Sequence, residues 1–265
     1  MTSLAPDLTL QKAAAEQGIS LPPTQADLPH SDGEPTESQR HQFQMELLIN
    51  TLLPWLDARD NGYVGGNMFL YYSLEQVRQR DFKGPDVFVA LNVPKGERLS
   101  WVCWEEGKTP DVIIELLSAS TATADKGKKK DIYATQLHVP EYFWFDPYNP
   151  DDWAGFRLQG SAYVPIAPED SRFEVQSLEL CLMQWYGTFK GIEATWLRWA
   201  TSDGALLLTA EERERQQAEQ ERQRAEQAES QIQQIVRNLF KSGMATEQVA
   251  TVTGLTLDRV NQYLE

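Results

Sequence analysis

Two short apolar runs separated by a lysine-rich polar stretch limit this chain to a small set of folds. The runs "DVIIELLS" (111–118) and "EYFWFDP" (141–147) are rich in β-branched and aromatic residues, and Asp146 and Pro147 end the second. Between them "TATADKGKKKDIYATQLHV" (121–139) suits a helix. Strand, helix and strand in that order predict a crossover unit with neighbouring parallel strands. A further strand, "DVFVALNV", opens at Asp86 directly after Pro85.

The strand after Pro110 carries a carboxylate where apolar residues dominate. Side chains alternate along a strand, so Asp111, Ile113, Glu115 and Leu117 share one face and Val112, Ile114 and Leu116 the other. A charged, unpaired Glu115 there costs several kcal/mol. Three readings remain open: an edge strand with Glu115 in solvent, a buried ion pair, or a site whose chemistry needs the charge.

A chain of 265 residues has room for one core domain and an extension, and with 41% hydrophobic residues and 8 tryptophans it can bury a sizeable core. No apolar run approaches the roughly 20 residues that span a bilayer, and "MTSLAPDLTLQKAAAEQG" lacks the order of a signal peptide. The chain therefore reads as soluble and cytoplasmic, with no membrane partner. Cys103 and Cys181 are expected to be reduced and buried. A net charge of −15 argues against binding nucleic acid through a general positive field. A local basic patch, carboxylates neutralised by metal, or plain solubility are the readings left.

Along the chain, residues 1–35 read as an extended arm and 36–201 as the globular domain, whose first helix runs from Glu37 to Asp57 with Met45, Leu48, Ile49, Leu52, Leu53 and Leu56 on one face. Short strands from Ala154 to Leu182 suggest an antiparallel continuation, closed by the aromatic-rich "LMQWYGTFKGIEATWLRWA". Residues 202–240 have long-helix composition with a partial heptad, in which Ala218, Ala225, Ile232 and Leu239 stand seven apart, and Ala228 and Ile235 take the complementary position. Such a half-seam points to a homodimer, or to a helix folded back on its own domain. Residues 241–265 read as two short helices joined at "TGL", with Thr246 and Thr256 as N-caps. The pair is similar to the first two helices of a helix-turn-helix, yet its second helix sets Asp258 and Glu265 against Arg259 and Asn261, which favours helix packing over groove reading.

A second carboxylate bears on Glu115. Asp86 opens a strand well placed to lie beside it, and two acids meeting at a sheet edge raise each other's pKa unless a cation intervenes. Oxygen donors with open positions suit Mg²⁺ or Mn²⁺. On the intervening helix Asp125, Lys129 and Tyr133 stand four apart on one face, with Lys126, Lys128 and Lys130 around the sides. A lysine from that face could orient water or stabilise charge on a phosphate, or the run is simply a solvated turn of helix.

"GPDVFVALNV", "TPDVIIELLSAST" and "DKGKKKDIYATQLHVPEYFWFDP", with "SDGEPTESQRHQFQ" and "GGNMFLYYS", resemble in order and spacing the Uma-type restriction-endonuclease family of the PD-(D/E)XK nuclease superfamily, over roughly residues 31–190. The resemblance implies a mixed α/β fold, a restriction-endonuclease-like central sheet flanked by helices. It also implies an acidic metal site that hydrolyses phosphodiester bonds in nucleic acid, DNA before RNA, with Mg²⁺ or Mn²⁺ as cofactor. Asp86 matches the first metal-binding aspartate and Glu115 the second acid. The superfamily's usual lysine, two residues on, is Leu117 here, so the lysine has moved to the next helix. Lys129 is the best match, with Lys130 or Lys128 as substitutes. Asp111 is a further ligand or a strand-start residue, Tyr133 a supporting group, and His41 matches a recurring histidine. The rival expectation is an inert nuclease-fold protein that serves as a binding or structural module.

Overall fold

The computed structural model describes residues 14, 16–17, 21–30, 38–59, 61–79 and 84–264. Most of the expected N-terminal arm, and the first residue of the expected helix at Glu37, lie outside that range. Contacts divide the chain into two units, 1–207 and 208–265.

In the first unit, helix α1 (Gln39–Asp57) starts at Ser38, whose hydroxyl accepts from the His41 N–H at 3.2 Å. The following elements are β1 (Tyr63–Gly66), β2 (Leu70–Tyr71), α2 (Leu74–Gln79), β3 (Val87–Ala90), β4 (Trp101–Val102), α3 (Cys103–Glu106) and β5 (Val112–Leu116). The crossover is α4 (Ala122–Ala124), a π-helical turn (Asp125–Lys129) and α5 (Lys130–Thr135), leading to β6 (Glu141–Phe145). Then come β7 (Trp153–Gln159), β8 (Ala162–Ile166), β9 (Arg172–Val175), β10 (Leu180–Phe189) and β11 (Ile192–Ala200).

Six strands form one mixed sheet in the order β1-β3-β5-β6-β7-β8. Its parallel pair is β5–β6, the two strands joined by the crossover, as the sequence pattern predicts. The other neighbours are antiparallel, including β3 beside β5 and the β7–β8 continuation. Alternation along β5 sorts the core into two faces. Val112, Ile114 and Leu116 pack with Leu48, Leu52 and Leu56 of α1 and with Leu182, Leu197 and Trp199 of a second, three-stranded sheet, β11-β10-β9. Ile113 packs on the opposite face with Ile132, Tyr133 and Leu137 of the crossover and with Trp101 and Tyr142.

The aromatic-rich closing stretch is the β10–β11 hairpin. Its two-residue turn, Lys190 and Gly191, has φ of 48° and 78°, the left-handed pair that a tight hairpin turn demands. On β11, the Gln44 side chain of α1 donates to the Leu197 carbonyl at 2.8 Å and accepts from its N–H at 2.9 Å, satisfying backbone groups that a missing neighbour strand would otherwise bond. Trp199 donates its indole N–H to the Leu48 carbonyl at 3.0 Å. Both cysteines are free thiols, Cys181 buried and Cys103 half-buried, the latter short of the full burial expected of it.

In the second unit, α6 (Ala210–Lys241) opens with a reciprocal cap between Thr209 and Glu212 and is followed by α7 (Thr246–Thr253) and α8 (Leu257–Leu264), the expected pair. Thr256 caps α8 through the Arg259 N–H at 3.3 Å, whereas Ala245 rather than Thr246 holds the N-cap position of α7. Val236, Val249, Val260 and Tyr263 form this unit's core. Arg259 is committed within the unit to Glu229, Gln262 and Tyr263. Among the described residues no helix is long and apolar enough to cross a membrane.

Candidate active site

Strand pairing brings the two sequence-predicted acids together. Val87 lies opposite Ile114 in the antiparallel β3–β5 ladder, so the next step outward sets Asp86 against Glu115. The Leu116 N–H donates to Asp86 Oδ2 at 2.7 Å, fixing the aspartate to the backbone beside Glu115. Because β5 lies between β3 and β6 and Glu115 is 0% exposed, the edge-strand reading fails.

The crossover supplies the partners. Tyr133 donates its hydroxyl to Glu115 Oε1 at 2.8 Å, and Lys129 Nζ donates to Oε2 at 3.2 Å. The same ammonium lies 2.7 Å from Asp125 Oδ1. Glu115 is thus a member of a buried ion pair, as one of the sequence readings has it, but the pair is a triad with a second acid. Asp125, Lys129 and Tyr133 face the strand together although the backbone between the first two is a π-helical turn rather than a regular helix. From neighbouring β6, Tyr142 donates its hydroxyl to the Asp125 carbonyl at 2.8 Å and anchors that turn to the sheet.

Burial dominates the electrostatics. Glu115 has no solvent contact, and desolvation pushes its carboxyl up to about 8; the Lys129 charge opposes this, while Asp86 and Asp125 add to it. Desolvation likewise raises Asp86, to about 6, against the pull of the Leu116 N–H, Lys129 and the Glu115 side chain. For Lys129 desolvation acts to lower the pKa, but the Glu115 and Asp125 charges outweigh it and hold the ammonium protonated. Burial followed by the Glu115 charge raises the Tyr133 hydroxyl far above its ordinary range, so it remains a donor.

The remaining predicted residues lie elsewhere or act at one remove. Asp111 stands before the opposite end of β5, where its carboxylate accepts from the Leu91 N–H at 2.6 Å and pairs with Lys108 at 2.8 Å, the contacts of a residue that holds the strand start. Lys130 turns away, its ammonium 3.5 Å from the Phe156 ring centre, and Lys128 is exposed. Lys126 pairs with Asp152. His41 is buried, and its Nε2 lies 3.0 Å from the Leu116 carbonyl, as donor to it. The Leu116 peptide groups therefore link His41 on one side to Asp86 on the other. Beside the end of β5 a cavity of about 430 Å³ is lined by Ser38, His41, Leu117, Ser118, Asp146 and Tyr148.

Sequence reasoning left Asp125 out of the site, although its four-residue spacing to Lys129 was the available signal. It is 0% exposed, and its Oδ2 has no hydrogen-bond partner. Among the described residues no three His, Cys, Asp or Glu side chains are grouped as a metal cage. The Lys129 ammonium stands between Glu115 and Asp125. In donor chemistry the neighbouring Asp86 and Glu115 carboxylates, hard oxygen donors on adjacent strands, suit a hard divalent cation.

No curated protein matches the chain. A solved structure described as a putative nuclease belonging to DUF820, from Anabaena variabilis, is similar at 16% identity and a TM-score of 0.41, covering 59% of this chain and 91% of that one. The profile of the Uma2 family, described as "Putative restriction endonuclease", matches residues 16–189, which include both strands of the acidic pair and the whole crossover helix. The chain belongs to the Uma2 family.

Proposed function

We propose that this protein is a metal-dependent endonuclease that hydrolyses phosphodiester bonds in nucleic acid, DNA before RNA. The observation that carries the proposal is the placement of Asp86 and Glu115 side by side on central strands with Lys129 within hydrogen-bonding distance of Glu115. Asp86 and Glu115 would hold Mg²⁺ or Mn²⁺. When bound, such a cation lowers the pKa of water and screens the phosphodiester charge. Lys129, kept protonated by its acidic neighbours, supplies positive charge for the negative charge that develops on phosphorus oxygens. Tyr133 fixes the Glu115 carboxylate by donating to Oε1, and His41 fixes the Leu116 peptide from which Asp86 hangs.

The rival, a nuclease-fold binding module without turnover, draws on one observation: Lys129 already compensates Glu115 with no cation needed. Calorimetric titration of Mn²⁺ into the protein and its Glu115→Gln variant separates the two. The nuclease reading expects saturable heat in the first and none in the second. Absence of binding in both selects the rival.

We also infer a homodimer through α6. Ile232 and Ile235, at complementary positions of the heptad, are exposed on a helix that buries only Val236 fully within its own unit. Two sites related by a two-fold axis would serve two strands of a duplex. Deleting residues 208–265 is expected to convert a dimer into a monomer in sedimentation equilibrium, and an unchanged number of chains per particle would refute a dimer built on this helix.

A further inference from the structure

We propose that Asp125 is a positioning residue for Lys129: the lysine acts as the resident counter-ion of Glu115, and Asp125 receives it when a divalent cation takes its place. The proposal rests on the nuclease reading above and adds the order of events at the site. Lys129 Nζ is shared unequally, 2.7 Å from Asp125 Oδ1 and 3.2 Å from Glu115 Oε2. It is thus already closer to the acid that would receive it. An ammonium has three donors, and Asp125 Oδ2, fully buried and without a hydrogen-bond partner, offers a further acceptor. A buried carboxylate oxygen left unpartnered is costly, and occupation by the lysine as it leaves Glu115 would relieve that cost.

Local architecture favours a short lateral shift over a rearrangement. Asp125 and Lys129 bracket the π-helical turn, and the Tyr142 hydroxyl holds the turn by the Asp125 carbonyl. Asp125 therefore stays in place while the flexible lysine stem carries the charge. Glu115, still held by Tyr133 at Oε1, is left with Oε2 free for a cation shared with Asp86.

Two substitutions should change metal affinity in opposite directions. Removing the competing charge by Lys129→Met is expected to tighten Mn²⁺ binding roughly tenfold, since a like charge close to the site is gone. Asp125→Asn deprives the lysine of its receiving carboxylate, holds it on Glu115, and is expected to weaken binding about 10- to 100-fold. Asp125 works through the lysine, so the double variant should bind as Lys129→Met does. The experiment is calorimetric titration of Mn²⁺ into the full chain and these three variants at a pH high enough to ionise Glu115, with Glu115→Gln as the non-binding control. Lys129→Gln, which retains two N–H donors without the charge, serves if Lys129→Met does not fold.

Unchanged affinity in Asp125→Asn would reduce the residue to a structural ion pair and overturn the proposal. An equal loss on adding Asp125→Asn to either background would make it a direct metal ligand, which also overturns it. Binding in the native protein with either of these patterns leaves the nuclease reading standing, whereas no binding in the native protein removes both.

Discussion

On the nuclease reading, Glu115→Gln and Asp86→Asn are each expected to lower the rate of metal-dependent DNA cleavage on the order of 10³-fold or more, because each removes an anionic donor from the proposed cation site. The fold should persist in both. A glutamine oxygen at position 115 still accepts from the Tyr133 hydroxyl, and an asparagine oxygen at position 86 still accepts from the Leu116 N–H. Conversion of supercoiled plasmid to nicked and linear forms with Mn²⁺ or Mg²⁺ measures the first effect, and circular dichroism with a denaturant midpoint measures the second. Full cleavage by either variant would show that its carboxylate is not part of the chemistry. Loss of cleavage with collapse of the midpoint would locate the role in folding instead. Lys129→Met belongs to the same series: slower cleavage with tighter metal binding would separate its charge in turnover from its charge as competitor.

Much of this arrangement is legible in the chain because it depends on short-range alternation. The apolar residues around Glu115 identify β5 as a buried strand, and period two assigns Ile113 and Glu115 to the face where Tyr133 packs. The polar stretch between β5 and β6 can cover the sheet only as a crossover, which brings its lysines to that face. What escapes is whatever tertiary packing or the backbone decides. "ATADKG" looks like a solvated start of a helix, yet Asp125 is fully buried because Tyr142 on β6 draws its carbonyl onto the sheet. The Leu116 N–H and carbonyl, which tie Asp86 and His41 together, carry no side-chain signature at all. Cap positions are similarly hidden: Thr246 and Ala245 differ by one residue, and the loop after α6 decides which of them starts the helix.

His41 illustrates how a residue can match a functional pattern while acting through backbone geometry. Its ring spans from Ser38, the cap of α1, to the Leu116 carbonyl, so the start of the helix and the end of β5 are held at a fixed separation. The cavity lined by these residues is bounded on its other side by Ser118 and Tyr148, and Tyr148 donates its hydroxyl to Ser38.

In the presence of a chelator, the protein is expected to become less stable as pH rises from about 5 to about 8, by a few kcal/mol in total, with most of the loss traceable to Glu115. The sign follows from its pKa. Glu115 titrates near 4.5 when unfolded and near 8 when folded, so between those values the native state holds a proton that the unfolded chain has released. The unfolded state then binds fewer protons, stability falls with rising pH across that window, and the loss is complete above it. Asp86, raised from 3.8 to about 6, adds a loss of the same sign at the lower end of the range. Other titrating groups are common to both proteins, so the informative quantity is the difference between the native protein and Glu115→Gln. In thermal melts this difference should amount to a fall of several degrees for the native protein relative to the variant between the two pH extremes. Saturating Mn²⁺ should restore the native protein at the higher pH and do little at the lower, where the proton already compensates the carboxylate. Parallel curves for the two proteins would mean that Lys129 keeps Glu115 ionised throughout, and that the buried acid imposes no proton-linked cost for a cation to relieve.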